Sequence, residues 1–508
     1  MRASITERRD GEVVPRAAQR RAACLAGLGA FACALASPQS ALAQDTGAND
    51  LSVQWATRAA NEVLQPADDA SRPAPSAFGD RKSYAIPALE VVGFNVLLNL
   101  VDRNVYGSDY QSTMSSIRRN LRSSWVVDSD PFRINQLAHP YQGSMYFGFA
   151  RSAQLDYWES LGYSFAGSAM WEIAGETTPP SRNDLINTSI GGSFLGETLF
   201  RLANLVLEHD DLPPFWRELG AAAISPATGF NRLAFGDRFK TVFASHNPEY
   251  YSRLQIGFSG SAQNDAGTST TKLKSSEAQV DYSIDYGLPG KPGYTYQRPF
   301  DYFAFQATAS SANGFENLMT RGMLIGTDYA YGNDYRGIWG LYGIYDYIAP
   351  QTYRVSSTAL GLGTTGQYWL TQSIALQGSL LGGVGYAAVG TTRSTAENDY
   401  HYGLAPQALA SLRVIFGERA SLDVTGREYF VSNVAAADRG GHDNIVRLDA
   451  SLTLRVYREH GIAIKYVGNR RDAAYPDVGD SSQRRGTIGL FYVLLGHDRF
   501  GAVDWRKE

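Results

Sequence analysis

The chain has 508 residues, more than one hydrophobic core usually needs, so two structural units are expected. Aromatic residues make up 12% of the chain and charged residues 19%, while Tyr counts 30 and Gly 51, a composition that favours many short strands over a helical enzyme. The formal net charge is −4 and no long basic run occurs, so nucleic-acid binding has no support.

Residues 1–43 have the pattern of a secretory signal peptide. A basic region precedes a short apolar run at 22–36, and Ala43 ends a small-x-small cleavage pattern. Because this run is too short to span a bilayer comfortably, we expect export with cleavage after Ala43, and not a membrane anchor. Residues 44–85 are weakly patterned and are predicted to be a flexible lead-in.

Both cysteines, Cys24 and Cys33, lie within the predicted signal peptide. The exported chain would then have no thiol, which excludes disulfides, thiol catalysis and cysteine metal sites. The seven histidines show no His-x-x-x-His or His-Glu-x-x-His spacing. Neither a metal site nor a cofactor is therefore expected.

A helical period begins at Pro87, and residues 86–245 are predicted to form a helical domain. Pro140 and Gly143 predict a bend, and 225–233 is predicted to be rich in turns. None of the predicted helices has the charge-free length of a bilayer span, so we expect a compact bundle in the periplasm. These helices lie near 144–151, 157–175, 182–208 and 213–224.

From about residue 250 the pattern changes to an alternation with period two. In the segment 445–457, Val446 and Leu448 alternate with Arg447 and Asp449, and the alternation continues to the end of the segment. An apolar outward face and a polar inward face are what a transmembrane barrel requires, because lipid surrounds it and every backbone group pairs within the closed sheet. We therefore predict an outer-membrane β-barrel of a Gram-negative bacterium over residues 250–498.

The barrel is predicted to have about twelve strands, joined alternately by short turns and longer polar loops. An even count puts both ends of the barrel in the periplasm, where the helical domain is expected to cover its mouth. The connection 288–300 is long but falls on the periplasmic side, so either the count is wrong or this segment packs against the helical domain. The predicted strands lie near 250–261, 272–287, 301–312, 319–331, 335–347, 353–368, 373–388, 401–416, 420–432, 443–457, 461–471 and 484–497.

The predicted fold class is thus an α+β membrane protein, in which a periplasmic helical bundle precedes an antiparallel transmembrane β-barrel. Its inward charges have two interpretations. Arg413 and Asp423 flank a tight turn and are expected to face each other, so that such pairs hold the register of neighbouring strands. The alternative is that the inward charges line a conducting pore.

Polar residues interrupt the apolar faces of the predicted helices. His139, Glu172, Glu176 and Asp184 are the candidate catalytic residues. A histidine beside carboxylates in an apolar bundle suits general acid–base chemistry, because burial and neighbouring charge shift the pKa values of such groups.

Structural roles compete with the catalytic hypothesis for the same residues. His139 would hydrogen-bond a helix end, Glu172 would pair with Arg151 or Arg182, and Asp184 would cap a helix. The other histidines fall mostly at predicted strand ends or loops, where exposed side chains are expected.

Short motifs rich in Gly, Trp and acidic residues recur through the helical domain. They are His139-Pro140-Tyr141-x-Gly143, Trp158-Glu159-Ser160, Trp171-Glu172, Gly175-Glu176, Pro179-Pro180-Ser181-x-Asn183-Asp184, Gly191-Gly192, Gly196-Glu197 and Gly229-Phe230-Asn231-Arg232. This set resembles a family with a domain of unknown function, found in exported proteins of Gram-negative bacteria. The resemblance covers roughly 85–237. It implies a cell-envelope location and no particular activity, because the family has none assigned.

Three functions remain open from the sequence. The first is a non-enzymatic role in handling envelope lipid or an envelope partner. The second is a hydrolase of envelope lipid or murein that uses His139 and the nearby carboxylates. The third is a channel for small solutes. Outer-membrane lipid and envelope proteins are the expected partners, and the sequence identifies neither a substrate nor an oligomeric state.

Overall fold

The computed structural model describes residues 82–105, 107–264, 271–350, 353–392, 396–432, 441–496 and 499–506. The predicted signal peptide, both cysteines and most of the predicted lead-in lie outside the described residues. Within the described residues, helices precede residue 240 and strands follow residue 249. The predicted order of a helical region and then a barrel is therefore confirmed.

The helical region is built from α-helices interrupted by three one-turn π-helical segments. In the described residues the α-helices are α1 (Ala85–Val105), α2 (Met114–Asn120), α3 (His139–Ser152), α4 (Tyr157–Met170), α5 (Arg182–Ile186), α6 (Gly192–Glu208), α7 (Pro214–Ile224) and α8 (Pro226–Phe235). The π-helical segments are Ile134–Ala138, Trp171–Gly175 and Asn187–Gly191. Each π-helical segment adjoins an α-helix, and such insertions are frequent at functional sites.

Two local predictions in this region are wrong. Pro140 does not bend the chain, because it lies in the first turn of α3, where its missing N–H is not needed. Gly143 lets α3 approach a neighbour closely: a Cβ there would lie 1.7 Å from the carbonyl oxygen of Thr188. The stretch predicted to be rich in turns forms α8 instead, and Pro226 occupies its first turn.

The second half closes into a barrel of twelve antiparallel strands within the described residues, as predicted. Each strand pairs with its neighbours in sequence, and β1 pairs with β12, so no edge is left open. The strands are β1 (Tyr250–Asn264), β2 (Thr271–Tyr286), β3 (Phe303–Ser310), β4 (Asn317–Tyr331), β5 (Tyr335–Ile348), β6 (Val355–Trp369), β7 (Ile374–Gly390), β8 (Tyr400–Phe416), β9 (Ala420–Ser432), β10 (His442–Tyr457), β11 (His460–Tyr475) and β12 (Gly479–Leu495).

The barrel wall has the polarity expected of a lipid-facing sheet. On β10, Val446, Leu448 and Leu452 are exposed on the outside, whereas Arg447 inside the barrel is only 2% exposed. A water-soluble sheet would show the opposite arrangement, with charged side chains outside. The sequence of β10 thus places its charges in the lumen and its aliphatic residues outward.

Ion pairs cross the middle of the lumen. Asp423 accepts from Arg413 at 2.6 Å and from Arg253 at 2.8 Å, and Arg413 also reaches Asp285 at 2.7 Å. The predicted pairing of Arg413 with Asp423 is confirmed. These pairs join strands on different sides of the barrel, and they partner charges that would otherwise be buried alone.

The chain itself enters the lumen at both ends. At the end with the short turns, the segment 499–506 enters the barrel: Val503 and the inward Gln367 exchange hydrogen bonds of 2.6 and 2.9 Å. At the other end, Tyr353 folds inward and donates to Asn469 at 2.7 Å. A cavity of about 120 Å³ remains between them, lined mostly by polar side chains that include Arg321.

The helical region packs against the outer wall of the barrel. Asp346 of β5 points into the lumen, where Tyr429 donates to it, so its neighbours Tyr345 and Tyr347 point outward. The Tyr345 hydroxyl donates to the carbonyl of Gln136, and the Tyr347 ring contacts Phe132. The expectation that the helices cover the mouth of the barrel is therefore wrong.

The connection between β2 and β3 helps to hold the two halves together. Asp301 accepts from Arg201 of α6 at 3.0 Å, and the Phe300 ring stacks on that of Tyr157. The predicted strand count is correct, so a miscount does not explain the long connection 288–300. The connection packs against the helical region, which was the other predicted explanation.

We expect Gly143→Ala to lower the free energy of unfolding by about 1–3 kcal/mol, because the added methyl group overlaps the Thr188 carbonyl. Gly162→Ala in α4 is the matched control, since nothing lies within 4 Å of its added Cβ. Denaturant unfolding of the purified protein in detergent, followed by far-UV circular dichroism, measures both. Equal stability of the two variants would contradict the close packing of α3.

Candidate functional site

A buried polar cluster lies where the π-helical segments Ile134–Ala138 and Asn187–Gly191 meet the outer wall of the barrel. Its centre is Asn183, which is fully buried at the start of α5. The Asn183 amide donates to Asp128 and to the Tyr402 hydroxyl, both at 2.8 Å. Its carbonyl oxygen accepts from the Asp128 N–H at 3.0 Å and from the Ser181 hydroxyl at 2.8 Å. Asn183 thus links the helices to β8.

Two further amides complete the link to the barrel. Asn135 donates to Asp128 at 2.5 Å and to the Tyr400 hydroxyl at 2.9 Å. Gln136 donates to the Tyr402 hydroxyl at 2.7 Å. Both amides belong to the π-helical segment Ile134–Ala138, whose wider turn brings adjacent residues toward the same wall. The cluster therefore needs side chains from both halves of the chain.

Glu172 and Glu176 lie in and directly after the second π-helical segment. One oxygen of Glu172 accepts from the Ser181 N–H at 2.8 Å, while the other is buried without a partner. Glu176 accepts from the Trp171 indole at 2.8 Å and from the Thr178 hydroxyl at 3.0 Å. Burial raises the pKa of Glu172, and the charge of Glu176 adds to this; burial likewise raises the pKa of Glu176 to about 7.

Asp184 is buried in the first turn of α5. Its carboxylate accepts from Asn183 at 3.1 Å, and its N–H donates to the Ser181 hydroxyl, which caps the helix. Burial and, after it, the charge of Asp128 raise the pKa of Asp184 well above its usual value. Ser181 is therefore the N-cap, and the carboxylate of Asp184 does not complete a capping box, because the Ser181 N–H donates to Glu172.

His139 is buried at the start of α3. Its Nδ1 has no hydrogen-bond partner, and burial lowers its pKa to about 4 although the charge of Asp128 opposes this. The imidazole is therefore neutral near pH 7. In the described residues, none of the hydrogen bonds joins His139 to Glu172, Glu176 or Asp184.

The four predicted residues thus surround a cluster whose central members, Asp128 and Asn183, were not among the predicted candidates. Asp128 interacts electrostatically with His139, Glu172 and Asp184, and Asn183 holds it in place. Asn183 belongs to the family motif Pro179-Pro180-Ser181-x-Asn183-Asp184, so that motif could have identified it from the sequence. No sequence motif could have identified Tyr402, because it lies on a strand 219 residues further along the chain.

Arg151 does not pair with Glu172, as one structural alternative required. It forms a two-pronged ion pair with Glu197 of α6, with distances of 2.6 and 3.0 Å. Glu197 also accepts from Arg201 at 2.8 Å, and Arg201 continues to Asp301 of the barrel connection. This second network is fully partnered and buried, so it serves the attachment of α6 to the barrel.

The cluster has limited means for chemistry. A neutral imidazole and carboxyl groups that keep their protons are suited to exchange protons with a substrate. Its amides and tyrosines are mostly occupied by each other, however, and the four predicted residues do not line the cavity in the barrel. Within the described ranges, no group of three or more His, Cys, Asp or Glu side chains is placed to hold a metal ion.

Residues 124–227 match a family described as a domain of unknown function (DUF3943). This confirms the resemblance found in the sequence, of such a domain ahead of a barrel. The matched range contains all four predicted catalytic residues and also Asp128, Asn135 and Asn183. No curated protein matches the sequence.

Solved structures that resemble the chain are barrels. The NanC porin has a TM-score of 0.23 at 7% identity, over 46% of this chain and 98% of that one. The translocator domain of the autotransporter NalP from Neisseria meningitidis has 0.23 at 11%, over 48% and 88%. The Pseudomonas putida toluene transporter TodX has 0.21 at 9%, over 49% and 90%.

We expect Glu176 to contribute a loss of stability as the pH rises from 4.5 to about 7. The reason is that the pKa of Glu176 is raised from 4.5 to about 7 on folding, so the folded state keeps a proton that the unfolded state releases. His139 contributes in the opposite direction over this range, because its pKa is lowered on folding. Glu176→Gln removes the Glu176 titration, keeps an acceptor for the Trp171 indole and should shift the slope of stability against pH toward positive values. Thermal unfolding in detergent at several pH values measures it, with Asp210→Asn as an exposed control; an unchanged slope would contradict the burial of Glu176.

Proposed function

We propose that this chain is an outer-membrane β-barrel protein whose closed barrel carries the helical region on its outer wall, and that it handles envelope lipid without catalysing a reaction. The observation that carries the proposal is the docking of the helices on outward side chains such as Tyr345, Tyr347 and Tyr402. In a bilayer, outward side chains of a barrel contact lipid. A region attached there is placed beside lipid molecules.

The polarity of the wall supports the outer-membrane location. Aliphatic and aromatic side chains are exposed around the barrel, and charged side chains are paired inside it. Exposing so many apolar side chains to water would be unfavourable, whereas lipid accommodates them. The closed sheet satisfies its backbone groups internally, which a membrane-spanning sheet requires.

The contents of the lumen favour a barrel that serves as a platform for the helical region over a barrel that conducts solutes. The paired charges at Asp423 and Arg413 occupy its middle, and the segment 499–506 and Tyr353 enter it from its two ends. A barrel of this size has little space to spare once side chains and a chain segment enter it. The small-solute channel is accordingly the least supported of the three functions.

We expect the protein to appear in the outer-membrane fraction and to migrate faster on gel electrophoresis without boiling than after boiling, because a closed barrel resists detergent until it is heated. In planar bilayers the intact protein should give no current steps. A soluble periplasmic protein without the heat-dependent shift would overturn the membrane location, and steady single-channel currents would overturn the closed lumen.

A lipid or murein hydrolase is the second candidate, and the unpartnered atoms of His139 and Glu172 favour it. If it is correct, His139→Gln should abolish any change in envelope lipid or murein that accompanies overproduction, while the heat-dependent gel shift persists. His209→Gln, at the end of α6 and outside the cluster, is the matched control. A change that survives His139→Gln would exclude this candidate and leave the non-catalytic role.

A further inference from the structure

Most apolar side chains of helix α1 are exposed, although Val91 is buried and the polar Arg103 and Asn104 near its end are exposed. Leu89 is 72% exposed and Leu97 57%, whereas Asn95 on the opposite face is 6% exposed. Asn95 donates to the Gly167 carbonyl at 3.1 Å and accepts from the Tyr146 hydroxyl. This is the reverse of a surface helix of a soluble protein, where the apolar stripe faces the core.

The length and composition of α1 agree with an apolar face that is turned outward. Among the described residues, Ala85–Val105 is the helix that is long and apolar enough to cross a membrane, and only 17% of its apolar window is buried. The core helix of a soluble protein would pass the same test but would be mostly buried. A signal sequence would lie at the N-terminus, whereas this helix lies behind the predicted cleavage site at Ala43.

Helix α4 repeats the arrangement. Trp158 and Phe165 are exposed, while Ser160, Ser164 and Ser168 face the interior and are almost fully buried. Ser160 and Ser164 donate to the carbonyl oxygens of Asp156 and Gly143. Of these serines, Ser164 joins α4 to α3, as small polar residues commonly do where helices pack in lipid.

Helices α7 and α8 also expose large apolar side chains, although the buried residues of α7, Ala221 and Ile224, are themselves apolar. Phe215 and Trp216 of α7 and Leu233 of α8 are exposed, whereas Asn231 and Arg232 of α8 are buried. Asn231 donates to the Ser152 hydroxyl at 2.7 Å. Arg232 pairs with Glu218 and also donates to the Lys240 carbonyl at 2.7 Å. Exposed large apolar side chains are thus shared by four helices of the region, and buried polar side chains by α1, α4 and α8.

The exposed helix faces border the exposed band of the barrel. Phe194 of α6 packs on Gly343 of β5, since a Cβ at Gly343 would meet its ring. The partner of Gly343 on β6 is Leu360, and the next partner, on β7, is Val384. Leu360 and Val384 are 48% and 53% exposed. The helical region therefore begins on the wall directly beside residues that face outward at the same register.

We infer that the helical region is embedded in the bilayer beside the barrel, with lipid acyl chains covering the exposed faces of α1, α4, α7 and α8. This inference rests on the outer-membrane location proposed above, and it replaces the periplasmic location that the sequence suggested for this region. Acyl chains fit these faces because acyl chains offer no hydrogen-bonding group, whereas polar side chains such as Asn95 and Ser164 find hydrogen-bond partners inside the bundle.

Fluorescence quenching by brominated lipid tests the inference on the full chain. Cys24 and Cys33 are replaced by Ser, and single Cys residues carrying an environment-sensitive dye are placed at Leu97 and Phe230. Leu448, exposed on the outer wall of β10, is the lipid-facing standard, and Glu418, in the short turn between β8 and β9, is the water-facing control. The proteins are reconstituted in vesicles of phosphatidylcholine, with and without bromine on the acyl chains.

We expect quenching at Leu97 and Phe230 to reach at least half of that at Leu448 and to exceed that at Glu418 severalfold. Using two helices guards against a single variant that fails to fold. Quenching no greater than at Glu418 at both helix positions would overturn the inference, whether water, another protein or a second copy covers the helices. The heat-dependent gel shift is recorded on the same samples: its presence without quenching overturns only the embedding, and its absence overturns the proposed function as well.

Discussion

Closure of the sheet by the pairing of β1 with β12 is the constraint on which the rest of the structure depends. The register runs from Arg253 opposite Leu495 to Asn264 opposite Arg484, so every strand has two neighbours. Once the sheet is closed, successive side chains of each strand point alternately into the lumen and out from the outer wall. The charges of β8 to β11 enter the lumen together, where pairing makes their burial tolerable.

Pairing in the lumen has an energetic consequence. Removing one partner of a buried ion pair typically costs about 3–5 kcal/mol, because the remaining charge is left without compensation. Asp423 serves two arginines, Arg253 and Arg413, and Arg447 is held by Asp449 at 2.9 Å. Asp423 of β9 therefore joins β1 to β8, strands that are distant in sequence, whereas Arg447 and Asp449 lie two residues apart on β10.

The outer wall has a different role on one side of the barrel. There the outward aromatic residues of β2 to β8 meet the helices in place of lipid, in a core that includes Phe303, Tyr345 and Phe194. Arg201 fixes the orientation of α6 by pairing with Asp301. The polar cluster around Asn183 follows from this docking, because Tyr400 and Tyr402 of β8 supply its hydroxyl groups. The cluster would be incomplete in either half alone.

The sequence by itself determined the number of strands and the polarity of the wall. The predicted gap at 472–483 was wrong, because β11 extends to Tyr475 and β12 begins at Gly479. Alternation along β10 is a local property, because successive side chains of a strand point to opposite sides whatever the partner strand is. The sequence likewise predicted that the helical region precedes the barrel, and it contained the family motifs around Asp184. His139, Glu172, Glu176 and Asp184 were selected as polar residues within apolar helices, which is also a local criterion.

Only the tertiary structure decided where the helices lie and what surrounds the candidate site. Amphipathic periodicity shows that a helix has two faces, but it does not show whether the apolar face of α1 meets a core or the surroundings. The entry of 499–506 into the lumen and the contact of Tyr402 with Asn183 join residues more than 100 positions apart. Such contacts depend on the packing of whole elements, and no local pattern of residues encodes them.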